Sequence, residues 1–152
     1  MAGASAAGVM EEVSKLSVDQ IRQVKDQVDG ELSVLQDSVN NIRTAANRFE
    51  MAAKALQNLS QHPNGKKLLV PLTASLYVPG TLQDVEKVLI DVGTGYYIEK
   101  SVTDGKDYCD RKINFLKANH EKLMEVASEK RNVAEQVNMV LQAKLRQVMA
   151  SK

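Results

Sequence analysis

The sequence predicts a mainly α fold with a small β insert: two long helices in an antiparallel coiled coil joined by two β-hairpins. Three observations carry that prediction. Residues 67–100 are rich in β-branched and aromatic side chains and are interrupted by Pro71, Pro79, Gly80, Gly93 and Gly95, a pattern of short strands and tight turns. The segments on either side repeat apolar residues at steps of three and four and are nearly free of Gly and Pro, which is helical periodicity. Those segments also match in length, at about 44 residues or roughly 66 Å of helix each.

Taken in order, the chain begins with MAGASAAGVM. This start has neither a basic opening nor an apolar stretch of secretory length, so it is not a signal peptide. Residues 1–15 are expected to form a disordered tail, and residues 16–152 a single domain with a helix over 17–60, hairpins over 67–100 and a helix over 104–150. The first helix opens on a capping box, in which Ser17 and Gln20 exchange hydrogen bonds and Leu16 and Ile21 flank them as a staple. Its stripe then runs Ile21, Val24, Val28, Leu32, Leu35, Val39, Ile42, Ala46, Phe49, Ala53 and Leu56, a heptad seam with one stutter. The turn-forming run Pro63, Asn64, Gly65 ends it.

In the insert, strand alternation places Val88, Ile90 and Val92 on one face. Gly93, Thr94 and Gly95 form a hairpin loop, and Tyr96 and Ile98 share a face on the return strand. An earlier hairpin turns near Thr73 and Ala74. Pro71 confines its strand to an edge or to a free N–H side, and Pro79 with Gly80 is expected to bulge or end the second strand. Two hairpins are too little sheet to stand alone. Leaving Val88, Ile90, Val92, Tyr96 and Ile98 wet forfeits roughly 1.5–3 kcal/mol each, in total about the stability of an ordinary domain. The sheet therefore has to be completed by other chains.

Thr103 or Asp104 is the expected cap of the second helix. Its seam runs Cys109, Ile113, Leu116, His120, Leu123, Ala127, Lys130, Ala134, Val137, Leu141, Lys144 and Val148, with the polar members at 120, 130 and 144 weakening the seam and fixing its register. If the two helices fold back on each other, the start of the first meets the end of the second. Met10, Val13, Leu16 and Ile21 then face Leu141, Leu145, Val148 and Met149. These residues either close the coil as core or stand exposed as a binding surface, a use to which Met is suited.

Composition narrows the function. Twenty basic against 19 acidic residues give a net charge of +1, which does not favour a general polyanion partner. Residues from 106 onward hold 10 basic and 6 acidic side chains, and such a face is ordinarily just solvated. Cys109 is the only cysteine, so there is neither an intramolecular disulfide nor a thiolate metal cluster. No apolar run is long enough to span a membrane. The cytosol is the expected compartment, with the nucleus as a second one.

No nucleophile, base and orienting group cluster. His62 lies in a helix-ending loop and His120 on a seam, while Asp84, Glu86, Asp91 and Glu99 are placed as solvated carboxylates. Gly93, Thr94 and Gly95 lack the Lys-Ser/Thr and the following helix of a phosphate loop. The chain is therefore not expected to be an enzyme or to carry a cofactor or metal.

The run LLVPLTASLYVPGTLQDVEKVLIDVGTGYYIEK, followed by DYCDRKINFL and set between two long helices, resembles the α-class prefoldin subunits, from about Leu16 to the end of the chain. The resemblance implies the prefoldin α-type fold and a heterohexamer of two α-class and four β-class subunits, with the hairpins building a central double β-barrel. It places Leu69, Val70, Leu72, Leu76, Tyr77, Val78, Val88, Ile90, Val92, Tyr96 and Ile98 in that barrel. It also implies capture of unfolded actin and tubulin by the coil ends, without ATP, and delivery to the cytosolic chaperonin. A coiled-coil scaffold or tether is the rival reading, but it needs neither two hairpins nor apolar coil ends. A nucleic-acid binder needs a basic stripe interleaved with aromatics, which the second helix lacks.

Overall fold

The computed structural model describes residues 6–150. Helix α1 (Ala6–Ser14) precedes the long helix α2 (Val18–Leu59). Strands β1 (Lys67–Pro71) and β2 (Tyr77–Thr81) form one antiparallel pair, and β3 (Lys87–Asp91) and β4 (Tyr97–Ser101) a second. Helix α3 (Val102–Ala150) closes the order. The two long helices pack against each other as an antiparallel coiled coil, and the fold class is the one read from the sequence. Contacts group the chain into two compact units, the first made by residues up to Ile42 with those from Ala118 onward, the second by Arg43–Lys117.

In the first unit the core is Val13, Ile21, Val137 and Leu141, with Leu16, Val18, Val24, Val133, Val140 and Leu145 packed on it. Val28, Val39 and Ala127 are buried as well. Ser17 N donates to Gln20 Oε1 (2.9 Å) and Gln20 N to Ser17 Oγ (3.3 Å), so the capping box is formed in both directions. The seam lysines are used: Lys130 pairs with Glu31, and Lys144 donates to the Leu16 carbonyl. These two pairings run in opposite chain directions, which makes the helices antiparallel here.

The expectation of a disordered tail is corrected for residues 6–14, which form α1; residues 1–5 lie outside the described residues. The physical reason is Val13. Burying one β-branched side chain against Ile21 and Val137 anchors a helix whose Ala- and Gly-rich composition gives no sign of an anchor.

In the second unit, α2 and α3 are held by buried Ala46, Cys109 and Ile113 and by an edge-to-face pair of Phe49 and Tyr108 (centroids 6.2 Å apart, 67° between planes). Lys117 pairs with Glu50 at 3.1 Å. Helix α3 begins two residues earlier than expected. Its cap is Ser101, whose Oγ accepts from Asp104 N (3.0 Å), and not Thr103 or Asp104. The last residue of β4 is thus also the N-cap, so strand passes into helix without a loop.

The β1–β2 register pairs Leu68 with Gly80, Leu69 with Pro79 and Val70 with Val78. Pro79 and Gly80 therefore lie inside β2 instead of ending it. Leu72 N donates to Leu76 O (2.9 Å) and Leu82 N to Lys66 O (2.9 Å), so hydrogen-bonded pairs fall at even positions. Pro71 and Pro79 occupy the alternate positions, whose N–H groups would point away from the partner strand, and neither proline removes a ladder bond. The loop over 72–76 is tied by Thr73 Oγ1, which accepts from Leu76 N at 3.1 Å.

Candidate functional site

The second hairpin pairs Val88 with Lys100, Ile90 with Ile98 and Asp91 with Tyr97. Its loop is closed by Val92 N donating to Tyr96 O (3.0 Å) and by Gly93 N donating to Asp91 Oδ1 (2.8 Å). Gly93, Thr94 and Gly95 all have positive φ, as a tight hairpin loop requires. One face carries Val88, Ile90, Val92, Tyr96 and Ile98. The other carries Leu89, Asp91, Tyr97 and Glu99, with Glu99 ion-paired to Lys87 at 3.0 Å.

The two faces have different fates within this chain. Val88 and Ile90 lie over α3 and α2, where their methyls and Leu56 Cδ1 all approach within 4 Å of the point a Cβ on Gly105 would occupy. They are half-buried against the chain's own helices, so part of each is already covered within this chain. The opposite face is open, with Leu89 68% exposed and Tyr97 exposed as well. Leu69, Leu72, Leu76, Tyr77, Val92, Tyr96 and Ile98 are also exposed, Tyr96 most of all at 72%, whereas Val70 keeps only about a third of its surface exposed and Val78 is half-buried.

Edges add to faces. Hydrogen-bonded pairs in the second hairpin again fall at even positions, because Val92 and Tyr96 bond, as do Val102 N and Glu86 O (2.9 Å). The N–H and C=O groups of Leu89, Asp91, Tyr97 and Glu99 therefore point to the outer edges. Both edges of this hairpin can accept a further strand. Each edge of the first hairpin lacks one donor, at Pro71 or Pro79.

Leu89, Tyr97 and Gly105 are missed by reading the insert as simple alternation. The unbroken apolar run Val88, Leu89, Ile90 is the available signal for a strand covered on both faces. Gly105, buried and inside a helix, carries the signal of an isolated glycine at a close approach. A groove of about 620 Å³ lined by Ile90, Val92, Ile98, Asp104, Tyr108 and Arg111 among others runs between this hairpin and the start of α3. Its lining includes the carboxylates Asp104, Asp107 and Asp110 and the cations Lys100 and Arg111, with no Ser, Thr, Cys or His to make a nucleophile–base pair.

The expected coil-end surface is arranged differently. Val13, Ile21 and Leu141 are buried together, Ile21 completely and Val137 beside them to 1% exposure. Leu16 and Leu145 pack on that cluster. These five residues close the coil and do not form an open surface: Val13 of α1 packs on Ile21 and Leu141, with Leu16 and Leu145 against them. Val148 is half-exposed and Met149 77% exposed. The Met10 side chain lies outside the described residues.

Among the described residues no group of three or more His, Cys, Asp or Glu is placed to hold a metal ion, and no helix is long and apolar enough to cross a membrane. Cys109 is buried, which pushes its thiol above the ordinary range, with Asp110 adding to the shift.

With this geometry in place, comparison with known proteins is informative. The family model described as prefoldin subunit matches residues 28–147. A prefoldin subunit 5 of Arabidopsis thaliana is 58% identical over 151 residues, covering 99% of this chain and 98% of that protein. The Homo sapiens prefoldin subunit 5 is 41% identical over 138 residues, covering 91% and 90%. A chain in the cryo-EM structure of filamentous PFD from Methanocaldococcus jannaschii superimposes with a TM-score of 0.64 at 18% identity, covering 86% of this chain and 98% of that one, and it supports the fold. The family resemblance carried by the insert is therefore shown: two long helices, two small hairpins and the sequence that joins them make this chain a member of the prefoldin subunit family.

Proposed function

We propose that this chain is one of two α-class subunits in a heterohexameric prefoldin with four β-class subunits. In that assembly its hairpins complete a β-barrel, and its helices help hold unfolded actin and tubulin for the cytosolic chaperonin. The observation that supports this reading is the second hairpin: Leu89 and Tyr97 open on one face, two free edges, and Val88 and Ile90 of the opposite face resting on the chain's own helices while Val92, Tyr96 and Ile98 stay exposed. A tether has no use for such a surface. Holding works without nucleotide, by several weak apolar contacts made at once, and avidity replaces a deep pocket. The compartment that fits these partners is the cytosol, with the nucleus as a second location.

The test is co-expression with α- and β-class partners, native mass spectrometry, and an assay of denatured actin aggregation without ATP. A two-plus-four hexamer that suppresses aggregation is expected. Leu89→Asp should release this subunit from the hexamer while far-ultraviolet circular dichroism still reports helix. An intact hexamer carrying Leu89→Asp contradicts the assembly surface, and a hexamer with no effect on aggregation contradicts the holding role.

A further inference from the structure

We propose that Asn64 is a site of spontaneous covalent modification. Its side-chain amide is lost through a cyclic imide with the Gly65 nitrogen, and the isoaspartate that results loosens the joint between the end of α2 and the two hairpins. The proposal stands apart from the client-holding reading, since it needs only the turn after α2 and the linker between β2 and β3.

The chain holds nine asparagines, and Asn64 alone precedes a glycine. The other eight lie within α2 or α3, where the ladder of the helix holds the backbone in place. Asn64 is exposed in a turn. Gly65 takes a φ of 81°, with nothing within 4 Å of the place a Cβ would occupy. No side chain shields its nitrogen, and glycine reaches the conformations that ring closure needs more readily than other residues do.

The surroundings act on this reaction in two opposed ways. Val85 N donates to Asn64 Oδ1 at 2.9 Å. That N–H sits where negative charge collects when the amide carbon is attacked, so it favours the attack. Gly65 N donates to Leu82 O at 2.7 Å, and Leu82 N donates to Lys66 O at 2.9 Å. The attacking nitrogen is thus held until this end of the first hairpin opens, and ladder ends open more readily than their middles. Opening sets the rate.

The chemistry needs only water besides the chain itself. Gly65 N bonds to Asn64 Cγ, the Cγ–Nδ2 bond breaks, and the Gly65 amide proton leaves with Nδ2 as ammonia. Water then opens the imide. Cleavage between Cγ and the Gly65 nitrogen gives aspartate at position 64. Cleavage between the main-chain carbonyl carbon and that nitrogen gives isoaspartate, which routes the chain through Cβ and Cγ and lengthens it by one carbon. The bonds to Val85, Leu82 and Lys66 are set for the shorter path, and they tie the linker after β2 to the end of α2.

The experiment uses the full chain in its co-expressed complex, kept warm at mildly alkaline pH, both native and in guanidinium chloride. Peptide mass spectrometry reads amide loss, and a protein isoaspartate methyltransferase with a labelled methyl donor reads isoaspartate. Loss should appear at Asn64 before any other asparagine. It should run about fivefold slower in the native complex than in denaturant, the factor set by one net hydrogen bond. In the converted chain, amide exchange at Gly65, Leu82 and Val85 should quicken by about the same factor. Asn64→Asp keeps the chain length and an acceptor for Val85 N, so it should exchange as the unaltered protein does. Asn64→Gln, whose ring would need one more atom, should keep its amide over the same period. First loss at another asparagine overturns the proposal, as does a methyl label at Asp29 or Asp104, the two aspartates that precede glycine, in place of position 64. Equal rates in the native and denatured chain, no loss in the native complex, or exchange unchanged after conversion overturn it as well.

Discussion

Gly105 tests whether the second hairpin is set by its own helices. A Cβ placed there would lie 3.2 Å from Val88 Cγ2, 3.3 Å from Leu56 Cδ1 and 3.7 Å from Ile90 Cδ1. Replacing a helix-interior glycine with alanine gains up to about 1 kcal/mol of helix stability. The nearest neighbours are side-chain methyls that can yield a few tenths of an ångström. Gly105→Ala should therefore be near neutral. Gly105→Leu adds three more heavy atoms where there is no room. Overpacking costs about 1–3 kcal/mol, and lifting β3 away forfeits roughly half of the 1.5–3 kcal/mol that full burial of Val88 and of Ile90 would each contribute. After the helix gain, the hairpin's local opening should become easier by about 1–2 kcal/mol, a factor of roughly 5–30. Hydrogen exchange reads this directly at Val88, Ile90, Ile98 and Lys100, whose amides lie in the hydrogen-bonded pairs of the β3–β4 register. Exchange unchanged in Gly105→Leu would refute the claim that β3 rests on α2 and α3.

Three further outcomes are expected. Thr94 holds φ of 55°, a conformation costly for a β-branched residue, so Thr94→Asn should slow exchange in β3 and β4 by a factor corresponding to about 1 kcal/mol; faster exchange contradicts the strain. Glu31 is held below its ordinary 4.5 by the hydrogen bond from Lys130, by one from Gln27 and by the Lys130 charge. Its contribution is present above the unfolded value and is lost as pH falls through the lower folded one, so Glu31→Gln should flatten acid unfolding below about pH 4.5, and an unaltered acid limb in thermal melts would count against the pair. Buried Cys109, its thiol raised, should react with a maleimide far more slowly in the native protein than in urea; rapid native labelling at pH 8 would place it at the surface.

The long-range outline of this fold was legible because it depends on periodicity. All eleven positions of the α2 stripe, from Ile21 to Leu56, are buried or half-buried, and the capping box needed only Ser17 and Gln20 at the right spacing. What escaped depends on contacts that periodicity does not encode. Helix α1 is ordered by Val13 meeting residues more than a hundred positions away, while its own composition argues for a tail. The strand status of Pro79 depends on register, since shifting the pairing by one residue would have set its missing N–H against the ladder. Alternation correctly put Val88 and Ile90 on one face, but it could not say that the chain's own helices would cover that face.

That last point changes how the hairpin's need for partners is argued. Its apolar faces are not both unpaired: Val88 and Ile90 of one rest on α2 and α3, which fixes the strand direction and presents Leu89 and Tyr97 outward. A hairpin anchored in this way enters an assembly already oriented, so less entropy is lost when a second strand adds along β3 or β4. The first hairpin has a proline on each outer edge and Leu69 and Tyr77 exposed. It is better suited to packing by its face than to extending a ladder. The two hairpins should therefore differ under perturbation. Blocking an outward backbone position with Leu89→Pro should cost assembly more than an added proline at Leu69, the same ladder position on β1, and native mass spectrometry of the two variants would decide it. Equal losses would mean that faces alone, and not edges, hold the subunits together.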